Sequence, residues 1–207
     1  MARKKSAKGQ ESSPAKTSPL YQFKITLLGT KPSVWRRIQV HEGTLDDLHA
    51  HIQNAMGWTN SHLHQFEING ETYGDPDLLD DGYDDFDCVD STRTKLSKVI
   101  PKDANQLRFR YEYDFGDSWD HEILFEGRVP PDVDKKYPQC VDGERACPPE
   151  DIGGVWGYVE FLKAIRDPKH ERHAEFLEWC GPFDPDAFDP AEATKLMWAG
   201  LPSWIED

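Results

Sequence analysis

The chain has 207 residues, of which 37% are hydrophobic and 12% aromatic, so it is long enough to bury an aromatic-rich core. Its formal net charge is −14. Residues 1–19 hold five bases and one acid, which leaves 19 bases, 37 acids and a charge of −18 for the rest. Such an acidic body repels phosphate, and the composition therefore disfavours broad nucleic-acid binding by the globular part.

Residues 1–19 are rich in Lys, Ser, Pro and Ala and have no apolar periodicity. We expect a disordered basic tail that contacts nucleic acid weakly at most, followed by a single domain over residues 20–207. No stretch matches a transmembrane helix, and the N-terminal residues lack the apolar segment of a secretory signal. The sequence therefore predicts a cytoplasmic protein with no membrane partner.

The first half of the domain predicts hairpins around one helix. Alternating apolar residues indicate strands at Tyr21–Leu27 and Val34–Val40, joined by a short turn. Thr44 is a suitable N-cap for a helix that ends at Gly57. The segment HLHQFEI, residues 62–68, alternates again and precedes an Asn-Gly turn, which favours another hairpin.

The second predicted strand carries Arg36 and Arg37 directly after Trp35. Adjacent arginines beside an aromatic residue are compatible with cation–π contacts or with recognition of an anion. We favour the simpler interpretation, in which the arginine pair lies on a solvent-facing edge strand with one paired charge, because the chain has an excess of acids.

Eight aspartates fall within the sixteen residues from Asp75 to Asp90, which is typical of a solvated loop. Asp77, Asp81 and Gly82 match positions one, five and six of an EF-hand-like calcium loop. The match fails at position three, which is Leu79, and at position twelve, which is Cys88 in place of a bidentate Glu. A plain acidic loop is therefore the favoured interpretation.

The stretch Leu107–Glu126 predicts a further hairpin, whose two strands are joined by an acidic turn at Asp114–Ser118. A long irregular region follows, and helices are expected at Val155–Arg166, at about residues 169–180 and in AEATKLMWAG. We predict an α+β fold with a mainly antiparallel sheet built from hairpins, one early helix and a C-terminal helical cluster. The sequence has no G-x-G-x-x-G, P-loop or G-x-S-x-G motif.

Histidines and acids around these hairpins are the main candidates for chemistry. Strand parity turns His64 and His121 toward the core face of the sheet, and neighbouring hairpins would bring them near the acidic turn. A divalent metal site with the ligands His62, His64, His121 and Asp117 is one hypothesis. Structural, hydrogen-bonded histidines are favoured over it, and acid/base catalysis by one His and one carboxylate is the third alternative.

Cysteines 88, 140, 147 and 180 are expected to be thiols or a metal pair rather than a disulfide framework. Cys140 and Cys147 are six residues apart, which is wider than the Cys pairs of zinc ribbons, and buried thiols that anchor the loop are favoured. Glu144 and Arg145 between them can pair with each other or contact a partner. The candidate binding residues are Asp114, Asp117, Trp119, His121, Glu144 and Arg145.

Four separate motifs of the chain, in the order in which they occur, resemble the plasmid pRiA ORF-3-like family. This family includes passenger "TnpR" proteins of insertion elements. They are VWRRIQV; LHAHIQNAMGW with HLHQFEI; YEYDFGDSWDHEI; and CVDGERACPPEDIGG with GYVEFLKAI, within Tyr21–Pro190. The resemblance implies an intracellular bacterial or archaeal α+β domain encoded on plasmids and mobile elements. It implies no established activity. A resolvase is not supported, because no serine surrounded by arginines is evident and the charge opposes DNA binding.

Members of that family often carry a further Cys in the segment where this chain has Ile152, which argues against a three-thiol metal site here. The leading prediction is a non-enzymatic binding or accessory domain of mobile-element type. Its binding surface is formed by the acidic turn and the Cys140–Gly154 loop, and no cofactor is expected other than a divalent metal. The alternative is a metal-dependent, hydrolase-like enzyme that uses the histidine and aspartate cluster.

Overall fold

The computed structural model describes residues 18–79 and 88–201. Those residues form eight strands and six helices. The strands are β1 (Leu20–Leu27), β2 (Val34–Val40), β3 (His64–Ile68), β4 (Glu71–Gly74), β5 (Val89–Asp90), β6 (Leu107–Tyr113), β7 (Trp119–Val129) and β8 (Gln139–Glu144). The helices are α1 (Leu45–Met56), α2 (Pro76–Leu79), α3 (Leu96–Val99), α4 (Gly154–Arg166), α5 (His173–Cys180) and α6 (Pro190–Ala199).

All eight strands belong to one sheet, in the order β5-β4-β3-β6-β7-β1-β2-β8. Every neighbouring pair is antiparallel except β4 and β5, which are parallel, so the sheet is mixed. The α+β class and the hairpins β1–β2, β3–β4 and β6–β7 are confirmed. The expectation of one early helix is wrong, because the single-turn helices α2 and α3 also precede β6.

Local sequence explains the ends of α1. Thr44 and Asp47 form a capping box, in which the Thr44 side chain accepts from the Asp47 N–H and the Asp47 carboxylate accepts from the Thr44 N–H. Gly57 ends the helix in the left-handed conformation, with φ 90°. The apolar face of α1 and the alternating buried residues of the central strands join one core cluster, which also includes α4.

The arginine pair differs from its prediction because β2 is an interior strand between β1 and β8. Arg36 is only 2% exposed. Its Nε donates to the Ala55 carbonyl at 2.9 Å, and its Nη1 donates to the carbonyls of Trp35 at 2.8 Å and Glu144 at 3.0 Å. The guanidinium also stacks 3.9 Å from the Phe188 ring centroid. The solvent-facing interpretation is therefore wrong for Arg36, and burial lowers its pKa.

The C-terminal helical cluster is confirmed, with α5 beginning at His173 rather than near residue 169. No helix among residues 18–79 and 88–201 is long and apolar enough to cross a bilayer. The predicted tail, apart from its last two residues, lies outside the described residues. So do Asp81 and Gly82 of the calcium hypothesis.

Candidate functional site

The turn between β6 and β7 packs against the N-terminus of α4. Oδ2 of Asp117, in the turn, accepts a hydrogen bond from the Gly153 N–H at 3.0 Å. Gly154 has φ +65°, and a Cβ at that position would lie 2.4 Å from the backbone oxygen of Asp117. Only glycine allows this backbone conformation together with so close an approach. Asp117 therefore acts as the contact between the turn and the helix.

Asp114 organises the turn itself. It is buried and has φ 57°, and its Oδ1 accepts from the N–H groups of Gly116 at 3.0 Å and Asp117 at 3.2 Å. Its backbone N–H donates to the carbonyl of Leu63 at 2.8 Å, which ties the turn to the residues before β3. With Oδ1 occupied by the turn, Oδ2 lies 3.6 Å from Nε2 of His62.

His62, Asp114 and Asp151 form a three-residue cluster, called here the carboxylate–histidine site. Nε2 of His62 lies 3.0 Å from Oδ1 of Asp151, whose side chain is 69% exposed. One nitrogen or oxygen atom from each residue lies within 4.8 Å of the others. Within the described part of the chain, this is the only set of three His, Cys, Asp or Glu side chains with that geometry. Such a set suits a divalent cation.

A second network holds the two loops of this site together. The Tyr113 hydroxyl donates to Oε1 of Glu150 at 2.5 Å and accepts from the Ser61 N–H at 2.9 Å. Oε2 of Glu150 accepts from the N–H and hydroxyl of Thr59 at 3.0 and 2.5 Å. Burial and the hydrogen bond to Glu150 raise the pKa of Tyr113, so its hydroxyl stays a donor at neutral pH. The residues just before His62 are thereby fixed.

Beside the carboxylate–histidine site, His49 and His64 stack with ring centroids 3.4 Å apart. Nε2 of His49 lies 2.7 Å from the Asn60 amide oxygen, and Nδ1 lies 2.8 Å from the Tyr111 hydroxyl. An amide oxygen only accepts, so Nε2 carries the proton and Nδ1 accepts from Tyr111. Gln53 donates to the same hydroxyl at 3.0 Å, which completes the network around a neutral His49.

Burial is the main cause of low histidine pKa values in this region. It lowers the pKa of His49 to about 4 and that of His121 to about 4. Burial, aided by the neighbouring His49, lowers the pKa of His64 to about 2. All three imidazoles are therefore neutral at pH 7.

The four predicted metal ligands, His62, His64, His121 and Asp117, do not form one group of close ligand atoms. His64 and His121 do face the core, as strand parity predicts, and are 5% and 0% exposed. The Tyr111 ring contacts both, at centroid distances of 6.0 and 5.2 Å. Neither they nor Asp117 belong to the three-residue cluster, so His62 is the one predicted ligand that does. Sequence reasoning missed Asp151, whose only signal is an acid just before the Gly-Gly start of a helix.

The other predicted binding residues lie elsewhere. Trp119 is fully buried, with its ring centroid 5.9 Å from that of Trp58. Glu144 is at the end of the edge strand β8 and accepts from the Trp35 indole N–H at 3.1 Å. Arg145 pairs with Asp186 rather than with Glu144. Each of these three side chains therefore has a contact within the fold.

Cys140 is buried and Cys147 is partly buried. Burial raises the pKa of the Cys140 thiol to about 11, with Arg36 opposing the rise. A high thiol pKa disfavours the thiolate form that metals bind. Neither cysteine belongs to a metal-compatible group among the described residues.

The chain is an α+β domain with one mixed eight-stranded sheet, and the acidic turn of this sheet contacts the start of α4. The model for the plasmid pRiA4b ORF-3-like protein family matches residues 19–192, and the chain belongs to this family. It is 44% identical over 168 residues to the uncharacterized protein y4hQ of Sinorhizobium fredii (strain NBRC 101917 / NGR234), covering 80% of this chain and 83% of that protein.

A solved structure is also similar. The crystal structure of MM3350, a protein of unknown function from Methanosarcina mazei Go1, has a TM-score of 0.74 and 36% sequence identity. The similarity covers 84% of this chain and 97% of that one. The chain therefore shares its fold with MM3350, and the names of these two similar proteins assign no activity.

The contact between the turn and α4 predicts a large penalty for Gly154→Ala. The new Cβ would overlap a backbone oxygen in addition to straining a positive φ, so we expect a loss of about 3 kcal/mol or more in the free energy of unfolding. Gly57→Ala is the matched control, since Gly57 also has a positive φ but no atom lies within 4 Å of its Cβ position. Its expected loss is about 1 kcal/mol. Equal losses in urea unfolding would contradict the close approach.

The low histidine pKa values predict a stability that falls on acidification. Below about pH 6.5 the unfolded chain binds protons at His49, His64 and His121 while the three imidazoles of the folded chain stay neutral, so unfolding becomes easier. Well below pH 6.5, each of these histidines contributes a loss of about 1.4 kcal/mol per pH unit, which for His49 and His121 continues until the pH reaches about 4. The measurement is the free energy of unfolding in urea between pH 7.5 and 5.

His49→Gln removes one of the three contributions, so its free energy of unfolding should depend on pH about two thirds as steeply as that of the wild type. His41→Gln, which removes an exposed imidazole, is the control and should keep the wild-type slope. An unchanged slope in His49→Gln would count against the buried neutral histidine.

Proposed function

We propose that this chain is a non-enzymatic binding domain whose ligand is a divalent cation at the carboxylate–histidine site. The observation that carries the proposal is the approach of His62, Asp114 and Asp151 from three separate segments, with ligand atoms within 4.8 Å. Metal–ligand bonds of about 2.0–2.2 Å separate neighbouring ligand atoms by roughly 3–3.5 Å. The distances of 3.0 and 3.6 Å from His62 Nε2 fit that requirement with little movement.

The donor set supports a transition metal rather than calcium. One imidazole nitrogen and two carboxylate oxygens suit Zn²⁺, Fe²⁺ or Mn²⁺, whereas Ca²⁺ takes six to eight oxygens. The two carboxylates would balance the charge of the cation. Asp114 is held in place by the turn, and the network of Tyr113 and Glu150 holds the flanking loops, so binding would need little ordering of the chain.

The wider role follows the family resemblance. We propose that residues 20–207 act as one cytoplasmic accessory domain of plasmid or mobile-element type, with a protein or small-molecule partner at the acidic turn and the Cys140–Gly154 loop. Free thiols at residues 140, 147 and 180 support a reducing location. Residues 1–19 would add weak nucleic-acid contact at most.

A second candidate function is a metal-dependent, hydrolase-like enzyme. It is favoured by one observation: three protein ligands, one of them largely exposed, would leave coordination positions for water and substrate. Hydrolysis of bis(p-nitrophenyl) phosphate or p-nitrophenyl acetate that requires added Zn²⁺ or Mn²⁺ would favour it, provided that His62→Gln abolishes the activity. Metal binding without turnover would favour the binding domain.

Calorimetric titration with Zn²⁺ of protein stripped by EDTA tests the proposed site. We expect one site, and we expect His62→Gln and Asp151→Asn each to weaken binding by at least about tenfold, because loss of even an outer-shell partner of a metal ligand costs about 10- to 100-fold. Asp103→Asn removes an exposed acid outside the site and serves as the control. Unchanged affinity in both site variants, or an equal loss in the control, would refute the proposal.

A further inference from the structure

A pocket of about 510 Å³ lies beside the carboxylate–histidine site, on the side of β3 and α1. His62 lines it together with the stacked pair His49 and His64. The pocket therefore shares one wall with the proposed metal site, but most of its lining comes from other residues.

The described lining of the pocket carries negative charge and no positive charge. Asp46, in the first turn of α1, and Asp75, just before α2, both line it, and no Lys or Arg among the described residues does. Burial raises the pKa of Asp46, and the neighbouring Asp75 raises it further. Two carboxylates that repel each other in a partly enclosed space favour a cationic ligand.

His64 provides an independent indication of a ligand. Its side chain is 95% buried, since only 5% of the residue is exposed, and it lines the pocket. Nε2 of His64 has no hydrogen-bond partner among the described residues. Buried polar atoms are nearly always paired, and leaving one unpaired costs about 1–3 kcal/mol. A ligand group that hydrogen-bonds to this imidazole would remove that cost.

Apolar side chains form the rest of the wall. Leu63 and Leu78 line the pocket and are 39% and 60% exposed. They offer a surface for a short hydrocarbon stem. Asp46, Asp75 and His64 do not form a group with ligand atoms close enough for one metal ion, which favours a larger organic cation.

We propose that this pocket binds a small alkylammonium ligand, with Asp46 and Asp75 neutralising its charge, His64 accepting one N–H bond and Leu63 and Leu78 contacting its carbon chain. An ammonium group has three donors and no acceptor, which matches a lining of two carboxylates and an imidazole nitrogen without a hydrogen-bond partner among the described residues. The proposal does not depend on the metal site, because Asp46, Asp75 and His64 lie outside the cluster of His62, Asp114 and Asp151.

The test is binding of n-butylammonium to the full chain in the presence of EDTA. Calorimetry measures the affinity, and NMR shifts of the histidine rings report the place of binding. Saturable binding is expected, with none for n-butanol or butyrate at the same concentration. Asp46→Asn and Asp75→Asn should each weaken it by at least about tenfold, the effect of losing a hydrogen bond to a charged group. Asn at residue 75 keeps the Oδ1 acceptor that now bonds the Asp77 N–H at 3.0 Å.

Asp77→Asn is the matched control, because it removes an exposed charge two residues from Asp75 without touching the pocket lining. Its affinity for n-butylammonium should equal that of the wild type. The proposal is overturned if n-butanol binds as well as n-butylammonium, if Asp77→Asn weakens binding as much as Asp75→Asn, or if Asp46→Asn and Asp75→Asn weaken Zn²⁺ binding instead. Loss of Zn²⁺ binding in Asp151→Asn with n-butylammonium binding retained would separate the two sites, because Asp151 does not line the pocket.

Discussion

The contact on which the candidate site depends is the one between the β6–β7 turn and the start of α4. Asp117 accepts from the Gly153 N–H, and Gly154 lets the two backbones approach to a distance that no side chain would permit. Asp151 lies two residues before Gly153, so this contact determines where its carboxylate lies. Asp114, three residues before Asp117, is fixed by the same turn. The carboxylates of Asp114 and Asp151 therefore both lie close to His62 because the β6–β7 turn contacts the start of α4.

The buried aromatic and imidazole rings on β3, β6 and β7 set the second constraint. Antiparallel register pairs His64 with Tyr113 and Tyr111 with His121, which lines these rings up on the core side of the sheet. Burial keeps the imidazoles neutral, so they act as hydrogen-bonding surfaces rather than charges. The charges of the region are carboxylates at its rim, and these carboxylates are the basis of the two neighbouring cation sites that we propose.

Local patterns in the sequence predicted the hairpins, the capped helix α1 and the inward direction of His64 and His121, because alternation and capping act over a few residues. They failed for Arg36, since its burial depends on β8 pairing beyond β2, more than a hundred residues along the chain. Asp151 was missed for the same reason. Its role comes from a contact across 37 residues with Asp114, and neither residue has a local feature that indicates the other.

Anomalous diffraction from a crystal grown with Mn²⁺ tests the central claim most directly. The account predicts one strong anomalous peak about 2.0–2.3 Å from Nε2 of His62 and from one carboxylate oxygen each of Asp114 and Asp151, with the β6–β7 turn and α4 in contact as described here. A crystal with saturating Mn²⁺ that shows no peak among these three residues, or peaks only at isolated surface carboxylates, would contradict it.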